Sequence, residues 1–344
     1  MNKVLDKIGI KGSLQRNFGA IVILAFTGSV IFGLPFFRFE YYDAYVSTYH
    51  LTNTQMGVFG TVIGVFGIVS YLFGGVVADG MSVKKIIVLS PIVTGIGGLL
   101  HLLPLAFWPS CVKAVRVMSD EDSQGKAYGF FEGMQSVAGV VTSLVAVGIF
   151  HWGTSGAGNE VLAMKYVILF YSYVNIAMGI VALFTLENDK MVLESDKVSF
   201  KGITKVLKNP AVWIICLVSF CNHVFCLSIY YYIPYVTDIL GAAVAFGAMM
   251  GVLRKFGSIG GNIIGGYLAD KFGTGKLMLL AYIVMLGGQI GIFFVPSGPS
   301  SAIIVTILFI TILSFFHMNY AMAWTMMSEG AVPVEYCGTA AGLI

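Results

Sequence analysis

Long apolar blocks separated by short polar stretches run through the whole chain. A helix that spans a bilayer needs about 20 mostly apolar residues. Nine blocks qualify, at 18–46, 55–78, 86–108, 127–150, 163–186, 210–240, 243–269, 277–296 and 301–328. A tenth opens near 330 and is cut by the C-terminus at Ile344. The pattern predicts an all-α, polytopic membrane protein. The basic N-terminal region leads into the first block without a secretory cleavage pattern, so it is not expected to be a signal peptide.

The polar stretches fix an expected orientation, because cytoplasmic loops carry an excess of Lys and Arg. The N-terminal tail has Lys3, Lys7, Lys11 and Arg16, and the 79–85 loop has Lys84 and Lys85. The 187–209 stretch has Lys190, Lys197, Lys201, Lys205 and Lys208, and the 270–276 loop has Lys271 and Lys276. The intervening loops near 47–54, 151–162, 241–242 and 297–300 have neither Lys nor Arg. The N-terminus and the basic loops are therefore expected in the cytoplasm, in a cell (plasma or inner) membrane. The 187–209 stretch reads as a cytoplasmic linker with an amphipathic helix. It would divide the chain into an N-terminal bundle (1–186) and a C-terminal bundle (210–344).

Composition narrows the classes further. Of 344 residues, 57% are hydrophobic and 11% charged, against about 25% charged in soluble domains. That apolar load excludes a soluble enzyme. Forty-two glycines suit close helix approach in lipid. A net charge of +3 leaves no nucleic-acid footprint. The five cysteines have no metal spacing, and no nucleotide loop, catalytic triad or cofactor motif is visible. The expected partners are a small-molecule substrate and the lipid bilayer, with the protein a monomer.

The two halves repeat. Gly75-Val76-Val77-Ala78-Asp79, followed by Lys84-Lys85, is echoed by Gly266-Tyr267-Leu268-Ala269-Asp270-Lys271-Phe272-Gly273. Gly125-Lys126-Ala127-Tyr128-Gly129 is echoed by Gly338-Thr339-Ala340-Ala341-Gly342. The order is the same in both, so the repeat is parallel. Asp79 to Gly125 spans 46 residues and Asp270 to Gly338 spans 68, a shortfall of 22, or one membrane helix. Helix four of the first half is thus expected to be largely missing, with only its cytoplasmic end left at Trp108–Met118. By the same comparison helices eleven and twelve are truncated relative to a two-times-six arrangement.

These residues resemble the major facilitator superfamily, whose main signature is a Gly-x-x-x-Asp-Arg/Lys-x-Gly loop between helices two and three. The second copy (Gly266, Asp270, Lys271, Gly273) matches well. The first keeps Gly75 and Asp79 but has Gly80, Ser82 and Val83 where the motif prefers Arg, Gly and Arg, with Lys84 and Lys85 as stand-in cations. The resemblance implies alternating-access transport between two bundles, with a substrate site between them near mid-membrane. Physically, an Asp at one helix end can accept from backbone N–H groups at a facing helix N-terminus. A latch of that kind forms in one access state and breaks in the other. Asp79, Lys84, Lys85, Asp270 and Lys271 are the gating candidates.

Charges inside a membrane cost about 2.5–3.5 kcal/mol each and call for a reason. Arg38 shares a helix face with Tyr41 and Tyr42, and guanidinium and phenol donors together suit an anion. Alternatively Arg38 snorkels at the outer interface. The stretch from Arg38 to Tyr49 and Gly57 is similar to the first helix of the organophosphate:phosphate antiporters, which carry a substrate arginine there and a second in helix seven. The region after Trp213 has no second arginine, so a sugar acid or neutral sugar fits better than a phosphate ester. Arg254 and Lys255 are the deepest positive pair, expected to contact substrate or a coupling ion or, alternatively, to pair structurally with Glu or carbonyls. His223 and Asn222 in helix seven are further substrate candidates, with His317, Asn319, Trp108 and Lys113 weaker ones. Glu40 and Glu132 are the proton-coupling candidates because a buried carboxyl suits proton exchange; Glu132, with Gln135 three residues on, is alternatively the partner of a cation.

The expected function is secondary transport of a small polar organic solute, a sugar, sugar acid or related anion, by proton symport or exchange. A drug exporter ranks below it because the fifth block lacks a Gly-Pro antiporter pattern. A third reading, from another class, is a non-transporting degenerate fragment or membrane sensor. Loss of one helix exposes polar cavity surface to lipid and breaks the symmetry on which alternating access depends.

Overall fold

Inside a bilayer no water is available for backbone N–H and C=O groups, so an apolar segment satisfies them within itself as a helix. A computed structural model describes residues 10–40, 50–99, 107–186, 200–242 and 244–344. Twelve α-helices are found among these. The first bundle contains α1 (Gly12–Glu40), α2 (Asn53–Gly80), α3 (Val83–Leu99), α4 (Phe107–Val117), α5 (Gln124–Ala157) and α6 (Glu160–Thr185). A short α7 (Phe200–Lys208) follows. The second bundle contains α8 (Pro210–Pro234), α9 (Val244–Phe272), α10 (Thr274–Phe293), α11 (Ala302–Glu329) and α12 (Cys337–Leu343).

The nine apolar blocks correspond to the nine longest helices. Five segments of the described residues are long and apolar enough to cross a membrane, within α1, α5, α6, α10 and α11. Helices α2, α8 and α9 have 28, 25 and 29 residues, about 38–44 Å at 1.5 Å per residue. Local chemistry sets several ends. Thr52 opens α2 with a reciprocal cap: its hydroxyl accepts from the Gln55 N–H at 3.2 Å while the Gln55 side chain accepts from the Thr52 N–H at 2.8 Å. Asn159 caps α6 by accepting from the Leu162 N–H at 3.2 Å. Gly273 ends α9 at φ 86°, a conformation that L side chains resist.

In the block at 86–108 the described residues hold two helices, α3 as far as Leu99 and α4 of 11 residues from Phe107, about 16 Å long. Residues 100–106 lie outside the described residues. In α4, Pro109 through Arg116 are all buried. The amphipathic helix expected in the 187–209 stretch is α7, whose Val206 is buried in the main core beside Val212, Val332 and Cys337.

That core occupies the end of the molecule that carries the basic loops, and it is shared. Leu14, Ile87, Val112, Tyr128 and Phe131 of the first bundle join Ile215, Trp324, Met327 and Ala340 of the second. At the other end the clusters are separate. One holds Val30, Ala146, Met164, Val167 and Tyr171 of the first bundle. Another holds Tyr232, Val236, Met250, Met285, Val305 and Phe309 of the second. Among the described residues, the bundles thus share one core at the basic end and pack on their own cores at the far end.

Candidate functional site at the seam between the bundles

Two contacts of the same form cross the seam. Asp270, near the end of α9, accepts from the backbone N–H groups of Gly125 (2.9 Å) and Lys126 (3.1 Å) at the start of α5. Asp79, near the end of α2, accepts from those of Gly338 (2.9 Å) and Thr339 (2.6 Å) at the start of α12. Each bundle gives one carboxylate and receives the other. The first N–H groups of a helix have no intrahelical partner, and the helix dipole favours an anion beside them.

Such bonds need the backbones close together, and glycine allows it. A Cβ on Gly125 would run into the Asp270 carboxylate, and one on Gly266 would meet Gly125 and Gly129. Gly75 plays the same part opposite: a Cβ there would lie 2.5 Å from the Gly338 carbonyl oxygen and 3.0 Å from the Thr339 Cα. The spacing Gly-x-x-x-Asp puts the small residue one turn before the carboxylate on the same helix face.

The cations differ from the sequence expectation. Asp79 pairs with Lys113 of α4 at 3.1 Å, and the Lys113 ammonium also donates to the Ala78 carbonyl at 3.3 Å. Lys84 is half-buried and Lys85 exposed at the start of α3; the cation found beside Asp79 is Lys113. Asp270 pairs with Lys126 at 3.7 Å, whereas Lys271 lies over the Phe272 ring at 5.2 Å. A lysine next in sequence to the aspartate continues round the helix by about 100° and leaves the contact face. A lysine on the facing helix does not.

Helix α4 is the part that sequence reasoning undervalued. Lys113 and Arg116 are both buried. The Arg116 Nη2 donates to the Val332 carbonyl at 2.6 Å, just ahead of α12 in the other bundle. Gln124 donates back to the Arg116 carbonyl at 3.1 Å, and the Tyr128 hydroxyl donates to the Val112 carbonyl at 3.0 Å. Helix α4 thereby joins the two contacts, with Asp79 on one side and the first turns of α5 on the other. The available signal was spacing: Lys113 and Arg116 fall three apart on one helical face.

Further along the seam, and within the second bundle, lie buried amides and one acid. Glu132 on α5 is 3% exposed, and its Oε1 has no hydrogen-bond partner. Asn262 on α9 is buried and donates to the Ser136 hydroxyl across the seam at 3.4 Å. Asn222 on α8 is buried and donates to the Phe316 carbonyl at 3.4 Å. Asn319, one turn beyond on α11, is buried with no hydrogen bond to either side-chain atom. His223 donates through Nδ1 to the Ser219 carbonyl of its own helix at 2.9 Å, and its ring meets Tyr320 edge-on at 6.0 Å. Arg38 and Glu40 lie in the last turn of α1 and Arg254 and Lys255 in the middle of α9; the side chains of these four lie outside the described residues, as does that of Trp108. Tyr41 and Tyr42 lie wholly outside them. No group of three or more His, Cys, Asp or Glu that could hold a metal ion occurs among the described residues.

The family model described as Major Facilitator Superfamily matches residues 17–344. The chain belongs to that superfamily. Inner membrane protein YqcE of Escherichia coli K12 is 25% identical to it over 358 residues, covering 95% of this chain and 83% of the relative. Inner membrane protein YihN of the same organism is 27% identical over 312 residues, covering 82% and 72%. In fold, the chain matches the outward-conformation crystal structure of the superfamily transporter FucP with a TM-score of 0.72 at 15% identity, over 96% of this chain and 89% of that one. The proton:xylose symporter XylE matches with a TM-score of 0.68 at 12% identity, over 95% and 86%. As a member of the Major Facilitator Superfamily the chain is a multi-pass membrane protein with two pseudo-symmetric bundles, and its relatives are named for the inner membrane.

Proposed function

We propose that the protein is a secondary active transporter that carries a small polar organic solute by alternating access, with Asp79 and Asp270 as the paired latches of one gate. The observation that carries this reading is the uneven seam: one shared core with two carboxylate–amide contacts at the basic end, and separate cores at the far end. By the positive-inside bias the basic end faces the cytoplasm, so the described conformation is closed to the cytoplasm. Breaking two carboxylate–amide contacts and parting two glycine faces opens it. The likeness to the outward conformation of FucP supports the same state.

The solute is a sugar, sugar acid or related organic anion. The buried amides Asn222, Asn262 and Asn319 offer donors and acceptors of the kind that hydroxyl groups pair with. Two structural neighbours carry monosaccharides by their titles, the fucose:proton symporter and the proton:xylose symporter. A more distant relative, 21% identical, is named a probable sulfoacetate transporter. Arg38 and Arg254 are the residues for a carboxylate or sulfonate group. Proteoliposomes with an imposed pH gradient, given labelled fucose, xylose or sulfoacetate, test the proposal. Accumulation of at least one above protein-free vesicles is expected, and Arg38→Ala and Arg254→Ala are each expected to abolish sulfoacetate uptake.

One observation favours the second reading, a chain that has lost transport. The described part of α4, about 16 Å long, covers half of a ~30 Å hydrocarbon core. Absence of flux from this chain, with flux regained when α4 is extended by some 20 residues, decides for that reading.

A further inference from the structure

We propose that Glu132 is a proton-binding site of the seam, protonated while the basic end is closed and releasing its proton to water when that end opens. This deepens the transport reading by naming the group through which protons couple to the conformational change.

Among the described side chains no counter-charge pairs with this carboxyl. Glu132 lies on α5 between Gly129 and Gly133, two of the residues at which this helix touches α9: a Cβ on Gly129 would lie 2.7 Å from the Asn262 carbonyl oxygen, and Gly133 abuts the Ile263 side chain. Helix α5 packs on α1 and α6 of its own bundle and on α9 and α11 of the other. The charged and titratable neighbours are otherwise committed. On α4, Cys111 is a buried thiol near enough to interact electrostatically with Glu132. Lys113 is paired with Asp79, and Arg116 bonds the Val332 carbonyl. On α5 itself Tyr128, also within electrostatic reach, donates to the Val112 carbonyl.

The other elements bring no pairing charge among the described side chains. Cys337 of α12 is buried near Arg116 and Asp79. Asp270 of α9 is engaged at the start of α5. Helix α11 brings Asn319 and, two residues before it, His317, whose ring meets Phe316 at 4.9 Å. Arg16 of α1 is exposed near Asp120, and Lys165 of α6 is exposed at the far end. Arg254 and Lys255 of α9 stand eight or nine residues beyond Ile263, about 12 Å or more along that helix.

A buried carboxylate without a partner is costly, and protonation removes the charge. Opening the basic end separates α5 from α9 and α11 and lets water reach the group. The step is balanced: the acid O–H breaks, the carboxylate keeps the electron pair, and water takes the proton. Because the closed state binds the proton better, protonation favours closure and low proton activity favours opening, by equal free energies.

Infrared difference spectroscopy of the purified full chain in lipid, wild type against Glu132→Gln, reads the site without any solute. The expected result is a protonated carboxylic-acid carbonyl band at neutral pH that is present in wild type and missing from the variant. In Asp270→Asn, which loosens the gate, the band should be lost at a pH lower by one unit or more. No band difference at neutral pH, or an unchanged titration in Asp270→Asn, overturns the proposal. Labelled fucose, xylose and sulfoacetate are then followed in proteoliposomes under a pH gradient. A probe that accumulates in wild type should only equilibrate in Glu132→Gln, with exchange kept; equal accumulation in both overturns the coupling role while leaving transport standing. No movement of any probe by wild type defeats the transport reading instead, and the infrared result still decides on the proton site.

Discussion

Lys113 pairs with a carboxylate from a neighbouring helix while almost wholly buried, so its removal leaves a charge in a poor place. Breaking a buried pair by deleting one partner costs about 3–5 kcal/mol, whereas replacing both partners with neutral groups of similar size costs far less. Lys113→Ala is therefore expected to lower the thermal midpoint in detergent by several degrees. The double variant Lys113→Met with Asp79→Asn should recover most of that loss. A smaller contact ties down the first turn of α1: exposed Asp120 accepts from the Ser13 N–H at 3.0 Å, and that bond holds its carboxyl below the usual carboxylate range. A depressed folded value means that the tether is at full strength above the unfolded value of about 3.9 and is lost as the pH falls through the folded one. Hydrogen exchange at Ser13 should lose protection on acidification below about pH 4, and Asp120→Ala should show that loss at neutral pH. At this scale the sequence disclosed the carboxylates but not their cations. Asp79 and Asp270 recur in a repeat that can be read by eye, whereas Lys113 and Lys126 reach them from helices whose neighbours only the fold decides.

Among elements, helix existence was legible and helix partition was not. Eight of the nine apolar blocks carry one long helix each, because in lipid each must close its own backbone bonds, and the block at 86–108 carries α3 and α4. Helices α3 and α4 share one apolar run. The residues at Trp108–Met118 read as the cytoplasmic end of a lost helix, and Pro109 through Arg116 are buried where α4 packs on α2, α5 and α12. Helix α3 pairs with α6 through close backbone contact: a Cβ on Gly95 would stand 2.5 Å from the Ser172 carbonyl oxygen, and one on Gly179 would stand 2.9 Å from that of Val88. Backbone atoms yield less readily than side-chain ends, so Gly95→Ala is expected to destabilise by about 1–3 kcal/mol through overpacking. Thermal unfolding followed by size-exclusion chromatography checks it. An alanine at Gly148, which has open space around it, should leave the midpoint unchanged.

For the whole molecule, the basic end is where the two bundles hold each other. The Asp79 contact brings the ideal Cβ of Gly338 to 2.9 Å from the Ala78 Cβ. A disulfide needs about 3.5–4.5 Å there, so a slight parting of α2 and α12 admits one. Ala78→Cys with Gly338→Cys, in a background with the five native cysteines replaced by serine, should cross-link on mild oxidation. The bridge should stop flux of any carried solute and reduction should restore it, which liposome uptake measures; a cross-linked protein that still transports would show that this end need not open. The repeat motifs made the pairing of the two aspartates readable in advance. That the far end keeps separate cores was not readable, because side chains with the same apolar character line both ends.

The crossed pattern of the two contacts has a consequence for ancestry. A single six-helix unit with an aspartate closing its second helix and a glycine opening its fifth holds both members of the contact. Two identical copies about a twofold axis would each bind the other, and the isologous interface would close with nothing left over. The present chain has the layout of such a dimer fused end to end, and the split between Lys113 and Lys126 as counter-ions marks where its two copies have since diverged.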